Sequence, residues 1–167
     1  MGHPGMPIVS NTSPLLNLAI IGELELVREQ FTRVFVPPAV VEEFRLGEHR
    51  PGSELLQQAV EGKWLVVEGP SDKALIRTLW QDLDRGESEA IALAKEKGTG
   101  RILLDKREGR RRARNLGLEV TGALGVLLRE AREGTLDSLP DALDALEEEA
   151  GFWISSSLRR HILEEVD

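Results

Sequence analysis

Five short runs of apolar and β-branched residues recur along the chain, and each is separated from the next by sequence with helical spacing. They are Pro7–Ser10, Val34–Val36, Trp64–Val67, Ile102–Leu104 and Leu118–Val120. No turn-sized connection joins one run to the next, so hairpins are excluded. Parallel neighbours need crossovers of about a dozen residues or more, usually helical. The pattern therefore predicts βαβ units and a parallel sheet covered on both faces. Ile102-Leu103-Leu104 has no polar alternation, as a strand buried on both faces requires. The run at Trp64–Val67 reads as an edge strand.

The intervening segments give the helices. One follows Pro14, with Pro in its first turn, and a second spans Leu24 to Phe31 after the break at Gly22. Val40 and Phe44 share a helical face beyond Pro37-Pro38, and a helix over Glu54–Val60 follows the Gly47–Ser53 loop. Leu75, Ile76, Leu79, Trp80 and Leu83 line one face of the next. Asp84-Arg85-Gly86 reads as a turn, with a helix beginning at Glu87. A basic helix spans Gly109 to Asn115, another ends near Gly134, and two more follow Pro140 and Gly151. Residues 1–6 (MGHPGM) read as a disordered or cloning-derived lead, and 7–167 as a single α/β domain with C-terminal helices.

Composition narrows the chemistry. With no Cys, disulfides, thiolate zinc sites and a Cys nucleophile are all excluded. His3, His49 and His161 are too scattered for a His-rich zinc site. A net charge of -8 argues against coating nucleic acid by bulk charge. No apolar run approaches the ~20 residues of a membrane span, and no signal peptide is evident, so a cytoplasmic protein is expected. Trp64, Trp80 and Trp153 are expected in the core or at an interface.

Sites in open parallel sheets form beyond the carboxyl ends of the strands. Asn11-Thr12-Ser13, Asp105 and Thr121 all fall there, and the helix starting at Glu87 brings a fourth group. Taken singly, Glu87 is equally a helix-capping carboxylate, and Asp105 equally an Asx turn or a partner of Arg107 or Arg110. Together, carboxylates at one edge repel and need a divalent cation or Lys/Arg. Hard oxygen ligands suit Mg²⁺ or Mn²⁺. Directly after Asp105 stands a basic run, Lys106, Arg107, Arg110, Arg111, Arg112 and Arg114, suited to phosphate.

The segments Val9–Val27, Val34–Phe44, Leu83–Ala94 (LDRGESEAIALA), Ile102–Leu128 (ILLDKREGRRRARNLGLEVTGALGVLL) and Ala150–Ser155 (AGFWIS) occur in an order that resembles the PIN-domain family, specifically a poorly characterised subfamily of nucleic-acid-binding PIN proteins. The resemblance implies a three-layer α/β/α sandwich with a central, mostly parallel sheet, and a Mg²⁺- or Mn²⁺-dependent endoribonuclease. Many bacterial and archaeal members resemble toxins paired with a small antitoxin protein, and homodimers are common. By position, the family's four acidic places fall on Asn11, Glu43 (with Glu42 as its alternative), Glu87 (with Glu89 as its alternative) and Asp105. Ser13 matches the hydroxyl that supports the metal. The basic run, Lys106 to Arg114, would hold RNA. Asn11 departs from the pattern: an amide oxygen can ligate but carries no charge. The expected function is thus a ribonuclease with a weakened metal site. The alternative is a non-catalytic nucleic-acid-binding or antitoxin-docking regulatory protein. On this reading the acidic helix after Pro140 is solvated, and its Leu143 and Leu146 could dock on another subunit.

Overall fold

The computed structural model describes residues 6–46 and 50–166. The expected lead lies outside them except for Met6, as do the first three residues of the Gly47–Ser53 loop. Five strands, β1 (Ile8–Ser10), β2 (Val34–Val36), β3 (Leu65–Val67), β4 (Arg101–Leu103) and β5 (Glu119–Thr121), form one sheet. Its order is β3-β2-β1-β4-β5, and every pairing is parallel. The expected edge strand is at the edge. Strand order reverses at β1, whose neighbours β2 and β4 leave in opposite directions, so the crevice of such a sheet opens beyond β1 and β4.

Alternate side chains of the strands feed two cores. Ile8, Val34, Val36, Leu65 and Leu103 face one layer, with Leu15, Leu18, Phe44, Leu56, Val126 and Leu127. Those residues belong to α1 (Thr12–Ile20), α3 (Pro38–Leu46), α4 (Ser53–Glu61) and α8 (Ala123–Arg132), and α2 (Glu25–Gln30) packs beside them. Val9, Phe35, Ile102 and Leu104 face the other layer, with Leu79, Ala90, Ile91, Ala94 and Ala113. These come from α5 (Lys73–Trp80), α6 (Arg85–Lys97) and α7 (Arg107–Asn115). This is the three-layer α/β/α sandwich expected.

Three readings of the sequence need correction. Leu143 and Leu146 of α9 (Leu139–Glu148) are fully buried in the chain's own core, so they form no subunit-docking stripe. Trp153 is 81% exposed and Trp80 52%, so neither is a core residue. Asp84 is not part of a free turn. It caps α6, accepting from Glu87 N at 2.8 Å, while the Glu87 side chain turns back to Asp84 N. Asp-x-x-Glu is the capping-box spacing, so helix α6 starts two residues earlier than the apolar pattern alone suggests. Asp84→Ala is expected to cost about 1 kcal/mol, seen as a fall of roughly 2–4 °C in Tm.

Candidate active site

The sheet brings the expected residues to one edge. Asn11 follows β1 and caps α1 in extended conformation, held by its N–H donating to Leu103 O at 3.0 Å. Asn is a good N-cap because its side-chain oxygen normally accepts from the first turn. Here that oxygen does not: Asn11 Oδ1 is buried with no hydrogen-bond partner. Ser13, in the first turn of α1, is half-buried.

Glu43 reaches the same place from the middle of α3. A Cβ built on Gly86 would collide with Glu43 Oε1 and lie 3.2 Å from Asn11 Oδ1. The two side chains therefore converge over the start of α6. Glu42 does not follow; it is exposed and pairs with Arg85 Nη1 at 3.1 Å. Glu89 also goes to Arg85, accepting from its Nε at 3.0 Å, and lies 3.4 Å from Ala39 N.

Glu87 is 4% exposed, and its Oε2 has no partner. Burial pushes its carboxyl up to about 7, and the neighbouring Asp84 adds to the rise. Lys106 sits above the pair, its ammonium 2.8 Å from Asp84 Oδ2 and 3.8 Å from Glu87 Oε1. Burial works against the charge on Asp84, yet hydrogen bonds from Glu87 N and Lys106 hold its carboxyl below the usual range. Lys106 is thereby engaged within the acidic cluster.

Asp105, directly after Leu104, accepts from Ala123 N at 3.0 Å and from Asn17 Nδ2 at 3.3 Å. Burial raises its carboxyl, and these donors together with Arg110 oppose the rise. Glu43 is raised too, by burial, with Thr12 and Lys106 opposing. Much of Glu43 faces solvent, so water screens it more than Glu87 or Asp105.

Three glycines, absent from the sequence-based site, make room for these carboxylates. Gly86 gives way to Glu43, as above. A Cβ at Gly109 would lie 2.5 Å from Glu87 Oε2, and one at Gly122 would collide with Asp105 Oδ1. None of the three has a positive φ. They are small for space and not for backbone freedom.

The basic run divides by helical face. Arg107, Arg110 and Arg114 line a groove with Asp105. Arg111 pairs with Glu108 at 3.1 Å, and Arg112 with Asp82.

Hard, buried, partnerless oxygens fit a divalent cation. Asn11 Oδ1 and Glu87 Oε2 are two such acceptors, and an unpaired buried acceptor is costly unless something electropositive meets it. Among the described residues, no three acidic or His side chains are close enough to hold an ion without adjustment. Lys106 is the cation in place.

A parallel α/β/α protein with its polar residues gathered at the strand carboxyl ends, around buried carboxylates, is what the fold and site define. A family model described as a PIN domain matches residues 7–167, and the chain belongs to that family. PIN domains are in general nucleases, and they typically use divalent metal ions. No curated protein matches the chain significantly. Among the described residues, no helix is long and apolar enough to cross a membrane.

Proposed function

We propose that the chain is a divalent-ion-dependent endoribonuclease, acting in the cytoplasm, with residues 7–167 as one catalytic unit. The observation that carries this reading is the pair of buried, partnerless oxygens, Asn11 Oδ1 and Glu87 Oε2, at an edge where burial raises three carboxyls. Glu43, Glu87 and Asp105 would hold a Mg²⁺ or Mn²⁺ ion in their charged forms, and Asn11 would add a neutral oxygen. When bound, the ion supplies Lewis-acid polarisation of the phosphodiester and offsets the charge that develops in reaction.

The chain's own residues do the rest. Thr12 Oγ1 is buried against the Glu43 carboxylate, so it and the neighbouring Ser13 hydroxyl are suited to orienting a water molecule. Lys106 balances Asp84 and Glu87 while no ion is present. Arg107, Arg110 and Arg114 attract the phosphates of RNA, and Arg111 and Arg112 add to the local positive field. Asn17 and Ala123 N keep Asp105 aimed at the edge.

The neutral Asn11 supports one rival reading, a nucleic-acid-binding protein that does not cut. Incubation of mixed structured RNAs with Mn²⁺, with and without chelator, separates the two. Chelator-sensitive cleavage is expected. An inert protein whose RNA binding ignores chelator identifies the binder instead.

A further inference from the structure

The groove that begins at Asp105 has a volume of about 680 Å³ and combines two chemistries. Arg107, Arg110 and Arg114 enter it from α7. Their i, i+3, i+7 spacing puts them on one helical face. Among the described residues, neither Arg107 nor Arg114 is paired with a carboxylate. Arg110, between them, donates to Leu104 O at 3.0 Å and faces Asp105. Glu165 also lines the groove, but it is taken up by Arg132 at 2.7 Å and His161 at 3.2 Å. The second chemistry is aromatic. Trp153 stands just before α10 (Ser156–Val166), lines the groove, and at 81% is the most exposed large apolar side chain among the described residues.

An open indole face beside a line of guanidiniums, the outer two with no carboxylate partner, matches an unpaired base attached to a phosphate backbone. Stacking asks only for a π-face, and a repeating strand supplies one anion for each cation of the line. A duplex hides its base faces and cannot use the ring in this way. We propose that Trp153 is a stacking subsite for one unpaired base of a single-stranded nucleic acid, whose phosphates follow Arg114, Arg110 and Arg107 toward Asp105. This rests on the nuclease reading and adds to it the residue that selects unpaired over paired substrate. An antitoxin-like peptide fits less well, since an exposed ring beside a line of cations gains most from a flat, anionic partner.

The test uses the full chain carrying Asp105→Asn, so that a bound strand stays intact. A labelled single-stranded RNA of about a dozen nucleotides, and a duplex of equal length, are titrated by anisotropy in that background. Adding Trp153→Ala is expected to weaken single-strand binding about tenfold or more and leave duplex binding unchanged. Trp153→Phe should restore most of the affinity, and the exposed position makes both variants safe for folding. Arg107→Ala with Arg114→Ala should weaken both ligands and lower the single-strand salt slope by about 1.4.

Unchanged single-strand affinity in Trp153→Ala, with a loss in the double arginine variant, overturns the stacking subsite while nucleic-acid binding stands. A Trp153→Ala protein that binds RNA normally but loses a concentration-dependent dimer shows that a second copy covers the ring, and the proposal fails. If no variant binds RNA at any salt, it fails together with the nuclease reading. Chelator-sensitive cleavage, measured separately on the wild-type chain, reports on that parent reading alone.

Discussion

Glu87→Gln is expected to make the ion-free protein more stable above pH 7 and, at the same time, to abolish its response to divalent ions. Glu87 is nearly inaccessible, and its carboxyl is raised to about 7 from 4.5. A carboxyl raised on folding favours the native state while protonated. That stability is fully present below about pH 4.5 and is lost as pH climbs through about 7. At one pH unit per about 1.4 kcal/mol, the loss for this group is on the order of 3 kcal/mol, shared with Asp84 because the two carboxyls interact. Gln is neutral throughout and also serves the capping box at this position. At pH 8 the variant should therefore gain about 1–3 kcal/mol, or roughly 3–10 °C in Tm, and at pH 4 it should match wild type. Wild type should recover the deficit when Mn²⁺ is added, and more at pH 8 than at pH 6, because protons compete with the ion for Glu87. Melting curves at pH 4, 6 and 8, with and without Mn²⁺, read all of this. Equal destabilisation of the variant at every pH would mean that Glu87 acts only as a helix cap.

Gly122→Ala is the second large effect, expected to remove activity as fully as Asp105→Asn. Gly122 caps α8 with φ near -124° and ψ near -171°, extended backbone that alanine adopts freely. The harm comes from its methyl group, which would occupy the place of Asp105 Oδ1 and approach Arg110 Nη1 at 3.0 Å. Asp105 must then leave Ala123 N, forfeiting a hydrogen bond to a charged group worth about 1.5–3 kcal/mol. Gly69→Ala is the matched control: its Cβ would meet only the Pro38 ring, at 3.7 Å or more. RNA cleavage rates of the two variants decide it. A Gly122→Ala protein that cuts like wild type would show that the Asp105 position is not needed.

Most of the fold was readable because each strand announces itself as a short apolar run and each helix as a periodic one. Val9 and Ile8 could be assigned to opposite layers from alternation alone. Asp84 was legible in principle, since Asp84 and Glu87 stand at capping-box spacing, but the adjacent Arg85-Gly86 looks like turn chemistry and masked it. Glu43 could be proposed only through resemblance. Its position on α3 beside buried Val40 and Phe44 is equally that of a solvated residue.

The parts that stayed hidden depend on partners distant in sequence. Gly109 matters because Glu87 is packed against it, and Gly122 because Asp105 is; nothing local distinguishes either from a loop or helix-end glycine. The choice between Glu42 and Glu43 turns on Arg85, which draws Glu42 and Glu89 to itself. Trp153 lies between Phe152 and Ile154, so its neighbours suggest burial, yet its ring stands in solvent. The Arg107, Arg110, Arg114 face became visible once α7 was found to begin at Arg107, two residues before the expected start.

The most direct test of an ion-dependent nuclease centred on Asn11, Glu43, Glu87 and Asp105 is RNA cleavage in Mn²⁺ by three proteins measured together: wild type, Asp105→Asn and Asn11→Asp. Wild type is expected to cut, chelator and Asp105→Asn each to abolish cutting, and Asn11→Asp, which places an anionic ligand beside Glu43, to cut faster. Cleavage that persists in both chelator and Asp105→Asn, or silence from all three proteins, would contradict an ion-dependent nuclease.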